Sequence, residues 1–236
     1  MEMGSDEGER RVAPAARRRL AVPPEASADQ LLAFVARLGL FFDANRTGIR
    51  IPMRGRDVIL VVDVLDDFEH EDGAALLASF AERQPALAEL LERARFNETP
   101  IVYANDNKGK WDGDVSRLVK RALTGPGGML IRDVVPQAGD RFLVKPRYSA
   151  FDHTPLDLIL GDLNCERMVI AGMTTEGCVA QTAIAARELD LKVSVPPDAC
   201  ATANPAAEEI ALRYLVEVVG VHLQSVATGL VPANSE

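Results

Sequence analysis

The stretch Asp57-Val-Ile-Leu-Val-Val-Asp63 decides the fold that this sequence predicts. Its five central residues are apolar without interruption, a pattern typical of a β-strand that is covered on both faces of a sheet. Two later stretches are similar: Arg141-Phe-Leu-Val-Lys145 ends in a lysine, and Arg167-Met-Val-Ile-Ala-Gly172 shortly precedes Cys178. Ligands bind outside the carboxyl ends of the strands in an open parallel α/β sheet. We therefore expect a carboxylate, an ammonium and a thiol to meet at one edge of this sheet.

Strand-like and helix-like stretches alternate along the rest of the chain. Strands are predicted at 58–63, 101–104, 142–145, 168–171 and 192–195, with a short sixth strand near 222–226. Helices are predicted before the first strand and between the strands. They comprise a region after the first strand that is broken near Pro85, and further helices at 114–123, from 154, at 178–189 and at 204–219. Such alternation gives right-handed parallel crossovers. The sequence thus predicts an α/β fold, a three-layer α/β/α sandwich with a Rossmann-like, mainly parallel sheet of five to six strands.

The N-terminal region differs in composition from the rest. Residues 1–25 are rich in Glu, Arg, Ala and Pro without apolar periodicity, which predicts a solvated, disordered tail. Ser27-Ala-Asp-Gln30 matches a capping box, and apolar residues at near-helical spacing follow it. We therefore expect residues 26–236 to form a single domain that carries an extra N-terminal helix at about 28–43, packed on the domain or on a second subunit.

The overall composition narrows the classes of partner. The 236 residues are 47% hydrophobic, enough for a substantial core, and the net charge of −9 argues against nucleic acid or an anionic membrane as the partner. Cys165, Cys178 and Cys200 are too few for a disulfide framework or a zinc knuckle, so a reducing cytoplasm is the expected compartment. No apolar run approaches the roughly 20 residues that span a bilayer. The net charge says little about a small-molecule substrate, because a local pocket can carry either sign.

Cys178 has the strongest individual signal for chemistry. It follows Gly172-Met-Thr-Thr-Glu-Gly177 and begins an apolar helix, where free backbone N–H groups and the positive end of the helix dipole favour a thiolate. Position alone leaves an inert buried cysteine equally open. Asp63 and Lys145 favour the functional interpretation, because a desolvated carboxylate can accept the thiol proton and an ammonium can stabilise the thiolate.

Three ordered motifs make the chain resemble the isochorismatase-like cysteine hydrolase superfamily. Val-Val-Asp63-Val-Leu-Asp66-Asp67-Phe68 is similar to the family's first-strand motif, Lys145-Pro-Arg-Tyr-Ser149-Ala150-Phe151 to its lysine block, and Gly172-Met-Thr-Thr175-Glu-Gly-Cys178-Val179 to its cysteine block. The resemblance covers about residues 57–226. Three motifs in the right order are specific, whereas any one alone is weak.

The resemblance implies a catalytic triad. Asp63 would be the general base, Lys145 would stabilise the thiolate, and Cys178 would attack a carbonyl carbon. A non-proline cis peptide at Met173-Thr174 would bring the N–H groups of Thr174 and Cys178 together as an oxyanion hole. Family members also commonly form dimers or larger assemblies, so a homodimer or higher homo-oligomer is expected.

The sequence departs from the family pattern in two places. Val64-Leu65-Asp66 replaces the family's Met-Gln-Asn, which changes the polarity expected in the pocket. Asn105-Asp106-Asn107 lacks the histidine of the metal motif found in the nicotinamidase branch, so neither a metal nor another cofactor is expected. The residues expected to line the substrate pocket are Phe68, Trp111, Tyr148 and Thr175, although rim packing is an equal alternative for the three aromatic residues.

These features predict a hydrolase that cleaves an amide or ureido C–N bond of a small molecule through a covalent thioester-type intermediate on Cys178. Two alternatives stay open. Isochorismate-type vinyl-ether hydrolysis is encouraged by Arg147-Tyr-Ser-Ala-Phe151. A non-catalytic interaction module that retains the fold is the other, and an intact triad argues against it.

Overall fold

The structure is a computed structural model, and it describes residues 57–106, 108–110 and 114–228. The tail predicted at 1–25, the helix predicted at about 28–43 and the predicted pocket residue Trp111 lie outside the described residues.

Seven strands form one parallel sheet in the described part of the chain. They are β1 (Asp57–Val62), β2 (Ile101–Asn105), β3 (Arg141–Val144), β4 (Arg167–Met173), β5 (Lys192–Val195), β6 (Cys200–Ala201) and β7 (His222–Leu223). Their order is β3-β2-β1-β4-β5-β7, with β6 paired to the end of β4. The predicted parallel α/β architecture is confirmed. The sheet has seven strands rather than five to six, because the two residues of β6 are too few to give a periodic sequence signal.

Six α-helices connect and cover these strands in the same part of the chain. They are α1 (Gly73–Phe96), α2 (Val115–Thr124), α3 (Gly128–Ile131), α4 (Leu156–Asp162), α5 (Ala180–Glu188) and α6 (Pro205–Tyr214). π-helical turns at Thr175–Val179 and Leu215–Val219 precede α5 and follow α6. None of the helices described here is long and apolar enough to cross a membrane.

Helix α1 runs through Pro85, where the sequence predicted a break. Proline lacks the N–H that an interior helical position donates, and it is normally disruptive there. Buried residues lie on both sides of it, among them Phe80 and Leu87. Packing against the core therefore keeps the helix continuous, because tertiary burial outweighs a local propensity.

The core surrounds β1 on both faces. Every residue from Val58 to Val62 is buried, and successive side chains of a strand point to opposite faces of the sheet. Strand β2 is buried throughout as well. This burial is what the uninterrupted apolar run predicted, and it requires a covering layer on each side of the sheet.

The strand register brings the carboxyl ends of the central strands together. Val62 pairs with Ala104 of β2 and with Gly172 of β4. Gly172 has φ +125°, and a Cβ built on it would lie 2.0 Å from the carbonyl oxygen of Val62. The residues that directly follow β1, β2, β3 and β4 thus meet at one edge, as the positions of the polar residues predicted.

Candidate active site

Lys145 lies at the centre of this edge. It directly follows β3, and its backbone N–H donates to the carbonyl of Asn105 at 3.0 Å. The ammonium nitrogen lies 2.6 Å from Asp63 Oδ2, and it donates to Cys178 Sγ at 3.2 Å and to the Arg147 carbonyl at 2.9 Å. Three partners match the three protons of an ammonium group. The side chain is 2% exposed, so these contacts replace water almost completely.

Asp63 is held by the backbone around it. Its N–H donates to the Ala104 carbonyl at 2.9 Å, and its Oδ1 accepts from the Asp106 N–H at 2.7 Å. Its φ of 54° is in the left-handed region, which aspartate tolerates better than most residues. The chain therefore leaves β1 in a sharp turn, with the carboxylate directed at Lys145.

Cys178 lies in the π-helical turn Thr175–Val179 that follows β4. The sequence predicted a helix start at this residue, but the α-helix begins at Ala180, two residues later. The thiol is hydrogen-bonded to the carboxylate of Asp63 as well as to Lys145. Thr182 in α5 donates its hydroxyl to the Cys178 carbonyl at 2.6 Å. The three residues predicted as a triad are thus brought into direct contact.

The electrostatics of the cluster favour a protonated thiol at rest. Burial, the largest influence, and the Asp63 carboxylate together raise the pKa of Cys178 to about 12, although Lys145 opposes both effects. The prediction that the site favours a thiolate is therefore corrected, because the sequence could not show how deeply the sulfur is buried. Burial also raises the pKa of Asp63 although Lys145 lowers it. The pKa of Lys145 would be lowered by burial, but Asp63 and Cys178 raise it overall.

A cavity of about 500 Å³ opens beside the three residues. This volume is in the range of small-molecule pockets. Its wall contains Asp63, Lys145, Cys178, Thr174, Met173, Tyr148, Arg147, Pro146, Asn105, Asp106, Lys108, Asp66, His70 and Leu76. Tyr148 lies at the cavity, as predicted, with 62% of its surface exposed.

Thr174 shares the cavity wall with Cys178, and the peptide bond between Met173 and Thr174 is cis. The Thr174 carbonyl accepts from the N–H groups of Gly177 and Val179, which closes the turn around the sulfur. That the N–H groups of Thr174 and Cys178 bind an oxyanion stays a prediction.

Two residues predicted to line the pocket lie outside its wall. Phe68 is 5% exposed and packs on Phe80, with ring centroids 5.8 Å apart. Thr175 is fully buried, and its hydroxyl lies 2.8 Å from Glu208 Oε1 on the side of the turn that faces helix α6. Both predictions are corrected, since proximity to a motif does not determine the direction of a side chain in a turn.

Comparison with known proteins places the chain in a family. The family model described as Isochorismatase domain matches residues 57–227. The chain belongs to the isochorismatase family.

This isochorismatase-family chain is similar to proteins of several kinds. The uncharacterized isochorismatase family protein YaaI of Bacillus subtilis strain 168 is 31% identical over 161 residues, which is 68% of this chain and 89% of that protein. The solved N-carbamoylsarcosine amidase of Thermoplasma acidophilum has a TM-score of 0.57 at 27% identity, and the match covers 72% of this chain and 96% of the amidase chain. The nicotinamidase SaPncA of Staphylococcus aureus has a TM-score of 0.55 at 26% identity, with coverage of 71% and 99%.

Asn105 is a residue of this isochorismatase-family site that sequence reasoning missed. Its side-chain oxygen accepts from the Leu65 N–H at 2.9 Å, and its amide nitrogen donates to the Leu65 carbonyl at 3.2 Å. The loop after β1 is thereby tied to the end of β2. The available signal was a polar residue that ends an apolar strand, which is the pattern that singled out Asp63 and Lys145.

Asp66, where the family pattern has asparagine, also lines the cavity. Lys108 Nζ lies 3.4 Å from Asp66 Oδ2 and 3.5 Å from Asp67 Oδ1, and His70 Nε2 lies 3.4 Å from Asp66 Oδ1. The carboxylate is therefore surrounded by basic groups. These residues make one wall of the pocket charged. The carboxylate in place of the family's asparagine indicated a change in polarity, but it did not indicate the basic groups around it.

Metal ligands do not cluster in the described residues. Across 57–106, 108–110 and 114–228, no group of three or more His, Cys, Asp or Glu side chains is arranged so that it could hold a metal ion.

Proposed function

We propose that this protein is a cysteine hydrolase that cleaves the C–N bond of a small amide or ureido compound. The observation that carries the proposal is the position of Lys145, whose ammonium contacts both the Asp63 carboxylate and the Cys178 sulfur. Nucleophilic catalysis needs a nucleophile, a base within hydrogen-bonding distance and a group that orients them. These three side chains meet that requirement next to a cavity of suitable size.

The first half of the reaction forms a covalent intermediate. Asp63 accepts the thiol proton while Cys178 Sγ bonds to the carbonyl carbon of the substrate, and the N–H groups of Thr174 and Cys178 stabilise the oxyanion. Asp63 then gives the proton to the leaving nitrogen, the C–N bond breaks and an amine or ammonia departs. The acyl or carbamoyl group stays on sulfur as a thioester or thiocarbamate.

The second half releases the acid. A water molecule attacks the thioester carbon, and Asp63 accepts its proton. The C–S bond breaks, and the sulfur takes the proton back from Asp63. The charges balance at each step: Lys145 stays protonated, and the single negative charge moves between the Asp63 carboxylate and the oxyanion of the tetrahedral intermediate.

The raised thiol pKa determines how the first step proceeds. A thiol with a pKa of about 12 is almost entirely protonated at neutral pH, so the site does not hold a reactive thiolate in advance. Proton transfer to Asp63 must therefore accompany the attack on the substrate. A carboxylate in contact with the thiol, with its own pKa raised by burial, is a suitable acceptor.

The known relatives support C–N cleavage in general. The two solved relatives above are, by their names, an N-carbamoylsarcosine amidase and a nicotinamidase. Both names describe hydrolysis of a nitrogen-bearing carbonyl group. We infer the same bond class for this chain, on a substrate small enough for a cavity of about 500 Å³.

The test is a panel of small amides and N-carbamoyl compounds, with ammonia release as the measurement. Cys178→Ala should remove turnover, whereas Cys165→Ala should retain it, because Cys165 lies at the opposite end of the sheet just before β4. Pyruvate release from isochorismate, without ammonia from any amide, would instead assign ether hydrolysis. No turnover of either class would indicate a non-catalytic module.

Assembly and location stay predictions. We propose a homodimer or higher homo-oligomer on the family resemblance and a cytoplasmic location on the small number of cysteines. Light scattering of the full chain measures the oligomeric state directly.

A further inference from the structure

A partly buried ion pair lies behind the turn that carries Cys178. Arg83 of α1 and Glu208 of α6 form it, with Arg83 Nη2 donating to Glu208 Oε2 at 2.9 Å and Nη1 contacting Glu208 Oε1. Arg83 also donates to the carbonyls of Pro197 and Cys200. The Glu208 side chain is 9% exposed. A two-pronged arginine contact of this kind fixes the plane of the carboxylate.

The fixed carboxylate holds the first residue of the nucleophile turn. The Thr175 hydroxyl lies 2.8 Å from Glu208 Oε1 and 3.2 Å from the Ala201 carbonyl. A hydroxyl has one proton to donate, and the shorter contact is the one to Glu208. Thr175 is fully buried, so water cannot replace this hydrogen bond if it is lost.

The next residue along the turn is held as well. Glu176 Oε2 accepts from the Thr202 hydroxyl at 2.8 Å, and the Thr202 N–H donates to Ser79 Oγ at 3.1 Å. Two consecutive side chains of the turn are therefore anchored to the segment after β6 and to helices α1 and α6. Neither Glu208 nor Arg83 lines the cavity, so this anchoring acts on the turn from the side opposite the substrate.

The anchored turn is the segment that carries the reacting groups. Thr175 lies between Thr174 and Cys178, the two residues whose N–H groups were predicted to bind the oxyanion. The Thr174 carbonyl accepts from Gly177 and Val179, so a shift of Thr175 would move the whole turn. Reaction rates depend steeply on such placement, and an error of about 1 Å costs roughly 100-fold.

We propose that Glu208 and Thr175 are positioning residues, which act as one unit to hold Cys178 against Asp63 and Lys145. Arg83 fixes Glu208, Glu208 fixes the Thr175 hydroxyl, and Thr175 fixes the turn. The effect on turnover rests on the proposed function, whereas the effect on the environment of the thiol does not.

The experiment compares Thr175→Val, which removes only the hydroxyl at nearly constant volume, with Thr175→Ser, which keeps it. Glu208→Gln tests the carboxylate, and Glu209→Gln is the matched control because Glu209 is an exposed neighbour on the same helix. On a substrate from the panel, T175V should lower kcat about tenfold or more with KM within about twofold, since the substrate-contacting wall is intact. T175S and E209Q should stay within about threefold of wild type in kcat.

The double variant tests whether the two residues act together. If Glu208 acts through Thr175, T175V/E208Q should lose no more kcat than T175V alone. Effects that multiply would show two independent roles and would overturn the proposal.

A second measurement needs no substrate. Burial and Asp63 are what raise the pKa of Cys178, so a loosened turn should move its pH profile of iodoacetamide alkylation to lower pH. Each unit of pKa lowering increases the thiolate fraction about tenfold and reduces its nucleophilicity about threefold. T175V should therefore alkylate a few-fold faster at pH 8, and T175S should match wild type.

The outcomes separate this proposal from the proposed function. If T175V has the wild-type alkylation profile and any change is confined to its Tm, the anchoring is only structural and the positioning proposal is wrong. If no panel compound is hydrolysed but the alkylation profile shifts as expected, the proposed function fails while the positioning role stands. Should T175V not fold, E208Q gives the same two readouts.

Discussion

The ammonium nitrogen of Lys145 lies 2.6 Å from a carboxylate oxygen of Asp63, in a pair whose side chains are 2% and 17% exposed. The free-energy cost of burying two charges often exceeds the gain from their attraction, so stability alone does not explain such a pair. Its members act on the same thiol with opposite sign: Asp63 raises the pKa of Cys178 and Lys145 lowers it. Removing Asp63 and removing Lys145 should therefore change the reactivity of the sulfur in opposite directions.

Asp63→Asn should separate thiol reactivity from turnover. The substitution removes the charge that raises the pKa of Cys178, so iodoacetamide should alkylate Cys178 faster than in wild type at pH 8. Hydrolysis should nevertheless fall by about 10²–10⁴-fold, because an amide cannot accept the proton. Alkylation is followed by mass spectrometry of the Cys178 peptide, with the Cys165 peptide as the internal reference. Slower alkylation in D63N would contradict the assigned electrostatics.

Lys145→Met should have the opposite effect on the thiol. Without the ammonium, the pKa of Cys178 rises further and alkylation slows. The variant should also be less stable at pH 7, by about 3–5 kcal/mol, because the Asp63 carboxylate is left buried without its partner.

The stability of K145M should depend on pH with a defined sign. Burial raises the pKa of Asp63 above its ordinary 3.8, and loss of Lys145 removes an opposing influence. An acid whose pKa is higher in the folded state stabilises the fold when protonated, and that stabilisation is lost as pH rises through the folded pKa. The gap in Tm between K145M and wild type should therefore narrow as pH falls from 7 towards 4. A constant gap would show that Asp63 is not the group left unpaired.

The sequence predicted the convergence of these residues but not their protonation. Apolar runs that end in Asp63 and Lys145 require only that both strands lie in one parallel sheet, and the sheet edge does the rest. The pKa of Cys178 depends on how much chain covers the sulfur, which no local pattern encodes. For the same reason Phe68 and Thr175 were assigned to the pocket although they face the interior. Spacing places a residue in a turn, whereas the packing around the turn sets its direction.

The pH dependence of wild-type turnover follows from the same two groups. Asp63 must be ionised to accept the proton, so kcat/KM should fall on the acid side, with a midpoint above the ordinary carboxyl value of 3.8. Cys178, with a pKa of about 12, should cause no change between pH 7 and 10. The measurement is kcat/KM from pH 4 to 10. A tenfold rise per pH unit up to pH 9 would mean that a free thiolate is the reacting form, against the concerted transfer proposed above.

Two glycines provide a matched test of how the site edge is built. Gly172 ends β4 with φ +125°, where a Cβ would lie 2.0 Å from the Val62 carbonyl oxygen. Gly161 lies in the exposed part of helix α4, where a Cβ would have no neighbour within 4 Å. Gly172→Ala should lower the free energy of unfolding by ~3 kcal/mol or more, because strain and a backbone clash act together. It should also reduce hydrolysis, since β1 and β4 would separate at the point where Asp63 and the Cys178 turn begin.

Gly161→Ala should instead raise the free energy of unfolding by about 0.5–1 kcal/mol, because alanine loses less backbone entropy than glycine in a helix. Its turnover should be unchanged, since α4 contributes no residue to the cavity wall. Urea denaturation and ammonia release from both variants check the pair. If G172A were as stable and as active as G161A, the close approach of β1 and β4 would not be what holds the base and the nucleophile in contact. The convergence of the three reactive groups would then depend on other contacts, among them the hydrogen bonds of Asn105 and Glu208.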